Sequence, residues 1–270
     1  MSEKKIATVP VPHVETSEDL NKVKGFWDKF SKPIIYAGSA IILSIAAYYG
    51  YKTFVKEPKE LKAAETIFPA ENLFGKMAST GFNKDSVNIL LNGGALDGNA
   101  VTGLLKVQSN FGGTAAANRA AYMTGAAYLH IKEFDKAIKY LKQFDGNGAS
   151  QVESRANLML GHAYAEKKNT DEALNYYRKA ASVNTKDETF AADALLTAAA
   201  YAESLGKNKE AIELYQQVQE KYPTNTAAQN GEIDKHLAKL GVIKYFLATV
   251  KVLLICLKAH QIYLKQQASA

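Results

Sequence analysis

The sequence predicts an all-α protein in which one N-terminal transmembrane helix is followed by an α-solenoid of antiparallel helix pairs. Two observations support this prediction. An uncharged apolar segment lies between Lys32 and Lys52, and two later stretches align with each other at an offset of 36 residues. The composition agrees, because 47% of the 270 residues are hydrophobic, which is enough to build a buried core.

The apolar segment from Ile34 to Tyr51 is predicted to cross a membrane. Its 18 residues form a helix of roughly 27 Å at 1.5 Å per residue, close to the thickness of a hydrocarbon core. Aromatic residues and lysines flank both ends, which favours a spanning helix over a buried helix of a soluble protein. The 33 mostly polar residues before it argue against a cleaved signal peptide. Four lysines on each side leave the orientation open.

These features divide the chain into five segments. We expect a polar, amphipathic tail over residues 1–32, an anchor over 33–55, a degenerate helical repeat over 56–115, repeats with a capping helix over 116–241, and a basic apolar tail over 242–270. Helical spacing of apolar residues in the first tail predicts an interfacial helix before the anchor.

The last tail has three interpretations. A second span is disfavoured, because Lys251 near its middle costs about 2.5–3.5 kcal/mol. A basic helix on a membrane surface is favoured, and an extension caused by a reading-frame change stays open.

Small and large residues recur at equivalent places in the aligned stretches. The first has Gly125, Tyr128, Ala137, Tyr140 and Leu141, and the second has Gly161, Tyr164, Ala173, Tyr176 and Tyr177. After a one-residue insertion, the third has Tyr201, Gly206, Ala211, Leu214 and Tyr215. Small residues let two helices approach closely, and the aromatic residues fill the space beside them, so each stretch is predicted to be a helix pair.

Weaker patterns extend the array in both directions. Residues 101–110 are expected to form a second helix whose partner covers residues 58–77, kinked at Pro69. The glycine- and asparagine-rich join over residues 81–99 is expected to be a loop or an irregular short helix. Residues 227–240 are expected to form a capping helix.

The segments GAAYLHIKEFDKAIKYL, GHAYAEKKNTDEALNYY and AAYAESLGKNKEAIELYQQVQEKYP resemble tetratricopeptide repeat (TPR) units. Together with FWDKFSKPIIYAGSAIIL, they resemble bacterial inner-membrane TPR proteins of the family of ancillary SecYEG translocon subunits, Bacteroidetes-type. The resemblance implies a single-pass protein of the bacterial inner membrane with a cytoplasmic N-terminus and a periplasmic TPR domain. It implies translocon components or exported clients as partners.

Charge and motifs exclude several other functions. The net charge of +6 comes from the ends of the chain, and residues 57–241 carry 21 basic and 22 acidic side chains. We therefore expect no nucleic-acid partner. The five histidines lack metal-ligand spacing, and no nucleophile elbow, Walker loop or dinucleotide fingerprint occurs. We expect no metal, no cofactor and no catalytic residues, and hence a protein that is not an enzyme.

The first helix of each pair is expected to line a peptide-binding groove. The candidate groove residues are Arg119, Tyr122, His130, Arg155, His162, Glu166 and Glu203. An arginine among them would hold a peptide carboxylate in a bidentate pair. The alternative is that these are ordinary solvated polar residues.

Two functional hypotheses follow. In the first, the chain is a membrane-anchored scaffold or chaperone-like subunit that assists protein export or envelope assembly through its TPR groove. In the second, it is a structural organiser that self-associates as a homo-oligomer through small residues of its span, without transient clients. An enzyme is the third and least supported hypothesis.

Overall fold

The computed structural model describes residues 16–96 and 98–242. The chain divides into two units, residues 1–59 and residues 60–270. Apart from one short hairpin, the described residues fold into helices and their connections, so the prediction of an all-α solenoid that follows one long apolar helix is confirmed.

The first unit is built on α1 (Thr16–Tyr51), which continues into a π-helical segment, Lys52–Lys56. Residues 16–32 of the polar tail and the apolar segment that follows form one uninterrupted helix. Two serine hydroxyls of its apolar part bond within the helix, Ser39 donating to the Ile35 carbonyl at 2.7 Å and Ser44 to the Ala40 carbonyl at 2.8 Å. Its large apolar side chains are exposed, as Leu43 is at 69%. By length and composition, the 57-residue helical run Lys24–Thr80 is able to cross a membrane.

The second unit begins within α2 (Glu57–Thr80), which runs through Pro69. Next come α3 (Lys84–Asn92), an antiparallel hairpin of β1 (Gly94–Leu96) and β2 (Asn99–Val101), and α4 (Leu104–Asn110). In the hairpin, Gly94 pairs with Val101.

Two expectations for this region need correction. The join over residues 81–99 is more ordered than expected, because the Asn83 side chain accepts a hydrogen bond from the Ser86 amide at 2.8 Å and caps α3. Val87, Leu90 and Leu91 then bury one face of that helix. The helix expected over residues 101–110 begins only at Leu104, because Val101 pairs in the hairpin.

Three helix pairs follow. They are α5 (Ala115–His130) with α6 (Phe134–Leu141), α7 (Ser150–Glu166) with α8 (Thr170–Val183), and α9 (Glu188–Ser204) with α10 (Asn208–Lys221). The second helices therefore start 36 and 38 residues apart, so the insertion before the third pair has two residues rather than the expected one.

Glycine sets the distance between the helices of the first two pairs. A Cβ atom on Gly125 would lie 2.5 Å from Cγ of Leu141, and one on Gly161 would lie 2.4 Å from Cδ1 of Tyr177. Beside these contacts, Tyr128 stacks on Tyr140 and Tyr164 stacks on Tyr176. The two pairs are thus copies of one packing arrangement.

Buried alanines line the helix crossings throughout the second unit, and larger side chains fill the spaces between them. One apolar cluster extends from α2 to α7, and another extends from α6 to α12. The largest buried side chains include Ile67, Leu90 and Tyr215. Stacked pairs that bury a shared core are the arrangement of a solenoid.

The expected capping helix is interrupted. Two short helices, α11 (Thr226–Gln229) and α12 (Glu232–Lys239), occupy the region where residues 227–240 were expected to form one. Gly231 separates them with a φ of 78°, a conformation that glycine adopts without strain. The predicted tail over residues 242–270 lies, beyond Val242, outside the described residues, as do residues 1–15 of the polar tail.

Candidate protein-interaction groove

A cavity of about 390 Å³ lies between α2, α5 and the start of α7. Its apolar lining comes mainly from Phe74, Tyr122, Met123, Phe144 and Val152. A concave apolar surface with a few polar groups at its rim is the usual form of a binding site.

Two polar pairs form the rim of this cavity and join neighbouring elements. Nε of Arg119 on α5 donates to Oε1 of Glu71 on α2 at 2.7 Å. The Asn118 side chain donates to the Asp145 carbonyl at 2.7 Å and accepts from the Asp145 amide at 2.8 Å. The second pair holds the link between α6 and α7, so the rim is fixed before any ligand binds.

Tyr122 connects the apolar wall to a second arginine. Its ring lies 5.3 Å from that of Phe144, centroid to centroid. Burial raises the pKa of the Tyr122 hydroxyl, and the positive charge of Arg155 partly opposes this shift. Arg155 is exposed and forms no hydrogen bond with any residue that the structure describes. It is therefore available to a ligand that carries a negative charge.

His130 lies at the end of α5, and the cavity lining does not include it. Its ring stacks on Phe82 with 3.8 Å between centroids and 7° between planes. Desolvation by burial lowers the pKa of His130, which favours the neutral ring. The stacking joins the end of α5 to the connection between α2 and α3.

His162 and Glu166 lie together on α7. Nδ1 of His162 is 3.0 Å from the Tyr177 hydroxyl, so this histidine contacts the second helix of its own pair. Desolvation lowers the pKa of His162, and the negative charge of Glu166 opposes that shift. Glu166 is exposed.

Glu203 lies at the other end of the solenoid, where it joins three helices. Its carboxylate accepts hydrogen bonds from the Tyr215 hydroxyl at 3.0 Å and from Lys239 Nζ at 2.7 Å, and Nδ1 of His236 lies 2.7 Å away. Its side chain is only 10% exposed. The ammonium of Lys239, followed by His236 and Tyr215, holds the pKa of Glu203 below its usual range, while burial opposes this shift.

The candidate residues therefore separate into groups. Arg119 and Tyr122 line the cavity and Arg155 lies beside Tyr122, whereas His130, His162 and Glu203 make contacts that join helices. Sequence reasoning missed Phe74, Phe144 and Glu71. The residues of α2 carry no repeat signature, and Phe144 lies between helices, so no periodic pattern identified them. The role of all seven candidates in ligand binding stays a prediction.

Within the described ranges, no group of three or more histidine, cysteine, aspartate or glutamate side chains is arranged to hold a metal ion. The expectation that the chain uses no metal in its function stays a prediction.

Comparison with known protein families gives a match over part of the chain. Residues 153–226 match the model of the tetratricopeptide repeat family. These residues comprise nearly all of the second and third helix pairs, and the first pair repeats the packing of the second. No curated protein matches the chain. Tetratricopeptide repeats are modules that bind other proteins, and residues 153–226 are accordingly a protein-interaction scaffold built from such repeats.

Proposed function

We propose that the chain is a membrane-anchored scaffold or chaperone-like subunit that holds protein clients in the cavity between α2, α5 and α7, and that it serves protein export or envelope assembly. The observation that supports this most directly is the cavity itself. A preformed apolar surface lies beside an exposed arginine, directly before the repeats that match a protein-binding family.

The anchor gives such a groove its advantage. An apolar helix such as α1, inserted in a membrane, restricts the groove to the membrane surface and raises its effective concentration toward clients there. Modest affinity for each client is then sufficient. The bacterial inner membrane, with the repeats on the periplasmic side, is the location that the resemblance implies, and we include it in the proposal.

Copurification tests this function. A tagged full-length chain is isolated in mild detergent, and the proteins recovered with it are identified by mass spectrometry. We expect translocon components or exported proteins, and we expect the Arg119→Glu/Arg155→Glu variant to lose the exported proteins. Recovery of the chain alone would contradict the proposal and favour a homo-oligomeric organiser.

One control separates recognition from stability. Arg119→Glu alone places two carboxylates against each other, because Arg119 is bonded to Glu71. The Glu71→Arg/Arg119→Glu variant restores the pair with reversed polarity. If the swapped pair recovers clients as the natural pair does, Arg119 acts by holding α2 to α5, and recognition of the negative charge belongs to Arg155.

A further inference from the structure

A second cavity lies on a different part of the solenoid, between the C-terminal halves of α8 and α10. Its volume is about 430 Å³. Its lining combines cations, polar side chains and a small apolar surface: Asn175, Arg178, Lys179, Ala181, Ser182, Thr185, Leu195, Gln217, Lys221 and Tyr222. It shares no residue with the cavity between α2, α5 and α7.

The charged side chains that line this cavity are all positive, because the lining includes three cations and no carboxylate. Arg178 is held in place by Glu210, whose Oε1 accepts from Nη2 at 2.5 Å. Lys179 and Lys221 are exposed and form no ion pair with the residues that the structure describes. Glu188 lies close enough to raise the pKa of Tyr222 but is outside the lining.

Both helices end near this cavity, and the carbonyl ends of helices repel anions. The partial charge of a helix end is about half an elementary charge, whereas each lysine carries a full charge. Lys221 lies in the last turn of α10, and Lys179 is four residues from the end of α8. The cations therefore outweigh the helix ends, and the cavity attracts negative charge.

The rest of the lining favours a peptide over a small inorganic anion. Leu195, Ala181 and Tyr222 are buried at 2%, 4% and 8% exposure and form an apolar floor that a phosphate ion would not use. Side-chain amides at the rim, from Asn175 and Gln217, provide both donors and acceptors, which the backbone of an extended peptide requires.

We propose that this cavity binds an acidic peptide segment of a partner protein, with an aliphatic side chain on the floor and carboxylates at Lys179 and Lys221. The site goes beyond the groove described above, since the two linings share no residue and this one is formed mainly by the second helices of two repeats. It would therefore give the chain a second binding site for a partner segment, separate from the cavity between α2, α5 and α7.

Fluorescence anisotropy on the full chain in detergent tests this site. The probe is a short labelled peptide in which glutamate alternates with leucine, compared with one in which glutamine replaces each glutamate. We expect saturable binding of the acidic peptide, at least about tenfold weaker binding of the glutamine peptide, and a similar loss in Lys179→Glu/Lys221→Glu, since tenfold corresponds to about 1.4 kcal/mol. Added salt is expected to weaken binding.

Three control experiments locate the site. Lys168→Glu/Lys209→Glu makes the same change of charge at exposed positions outside the cavity and is expected to bind normally. Arg119→Glu/Arg155→Glu is also expected to bind normally, which separates this site from the groove. Circular dichroism of each variant checks that the helices remain folded.

Several outcomes would overturn the proposal. Unchanged binding in Lys179→Glu/Lys221→Glu would place the peptide elsewhere, and equal binding of the glutamine peptide would remove the role of charge. Full competition by inorganic phosphate at the concentration of the peptide would assign the cavity to a small anion. Binding only to vesicles that contain anionic lipid would assign it to a membrane surface.

Discussion

Glycine at the crossing of two helices is the most restrictive single position in the repeats. Gly161 faces Tyr177 so closely that any Cβ atom would overlap the aromatic ring, and Tyr177 is itself buried. Aligning the repeats of this chain with one another identified Gly161 and its counterpart Gly125, because each is followed by tyrosine and alanine at the same spacings. The repeat pattern identifies the position of the glycine but not the distance between the two helices, which depends on how their other side chains pack.

We predict that Gly161→Ala destabilises the fold by about 1–3 kcal/mol, the usual cost of overpacking a core. Urea denaturation followed by circular dichroism measures this change. Gly75→Ala is the matched control, because Gly75 is also inside a helix but has no atom within 4 Å of the added Cβ. It is expected to stabilise by up to about 1 kcal/mol. Equal effects of the two substitutions on stability would show that the close approach of position 161 to Tyr177 does not determine the cost.

The Glu203 carboxylate makes the stability of the C-terminal end of the solenoid depend on pH. Its pKa is lowered in the folded state, so its contribution to stability is complete above the usual pKa of glutamate and is lost as the pH falls through the lowered value. We predict that Glu203→Gln lowers stability at neutral pH by about 1–3 kcal/mol and flattens its decline in acid. Thermal unfolding measured across acidic pH checks this. A variant with the same acid dependence as the natural chain would contradict it.

The repeated helix pairs and the long apolar helix were the elements that sequence patterns predicted best. The three pairs and the long apolar helix follow from periodicity, which reads local spacing directly. The hairpin was missed and α3 was expected only as an irregular short helix or a loop, because the segment is rich in glycine and asparagine. Asn83 is itself the cap that starts α3. The break at Gly231 was missed since the apolar pattern continues on both sides of it.

The candidate groove was only partly predictable at this scale. Arg119 and Arg155 were found because they occupy equivalent positions on the first helices of two pairs, and Tyr122 because it lies on the same first helix as Arg119. The wall of the cavity that α2 forms was not predicted, because α2 contributes Phe74 and Glu71 without any repeat signature. A site formed between a regular and an irregular element depends on their packing, which spacing along the chain does not encode.

The conformation of the link between α6 and α7 is predicted to depend on the side-chain amide of Asn118. Asn118→Ala removes both hydrogen bonds to Asp145 and should lower stability by about 1–2 kcal/mol. Hydrogen exchange should quicken at residues 145–149, with little change at the more distant α10. Unaltered exchange in the link would show that its other contacts, such as the hydrogen bond from the Ala149 amide to the Gly146 carbonyl, hold it without Asn118.

At the scale of the whole molecule, α1 is predicted to hold the chain in a membrane. Ile42→Arg places a charge in the middle of the apolar segment, at a cost of about 2.5–3.5 kcal/mol on insertion. After alkaline extraction, we expect a smaller fraction of the variant than of the natural chain to remain in the membrane. Lys22→Arg, which keeps the charge before the span, is the control. Complete extraction of the natural chain under the same conditions would contradict the anchor.

Client binding in the cavity between α2, α5 and α7 is the central claim, and site-specific photocrosslinking in living cells tests it most directly. Benzoylphenylalanine replaces Val152, which lines the cavity, or Glu213, an exposed residue of α10 outside it. The account predicts discrete crosslinks from position 152 that Arg155→Glu reduces several-fold, and none of the same products from position 213. Identical products from both positions, or no loss with Arg155→Glu, would contradict it.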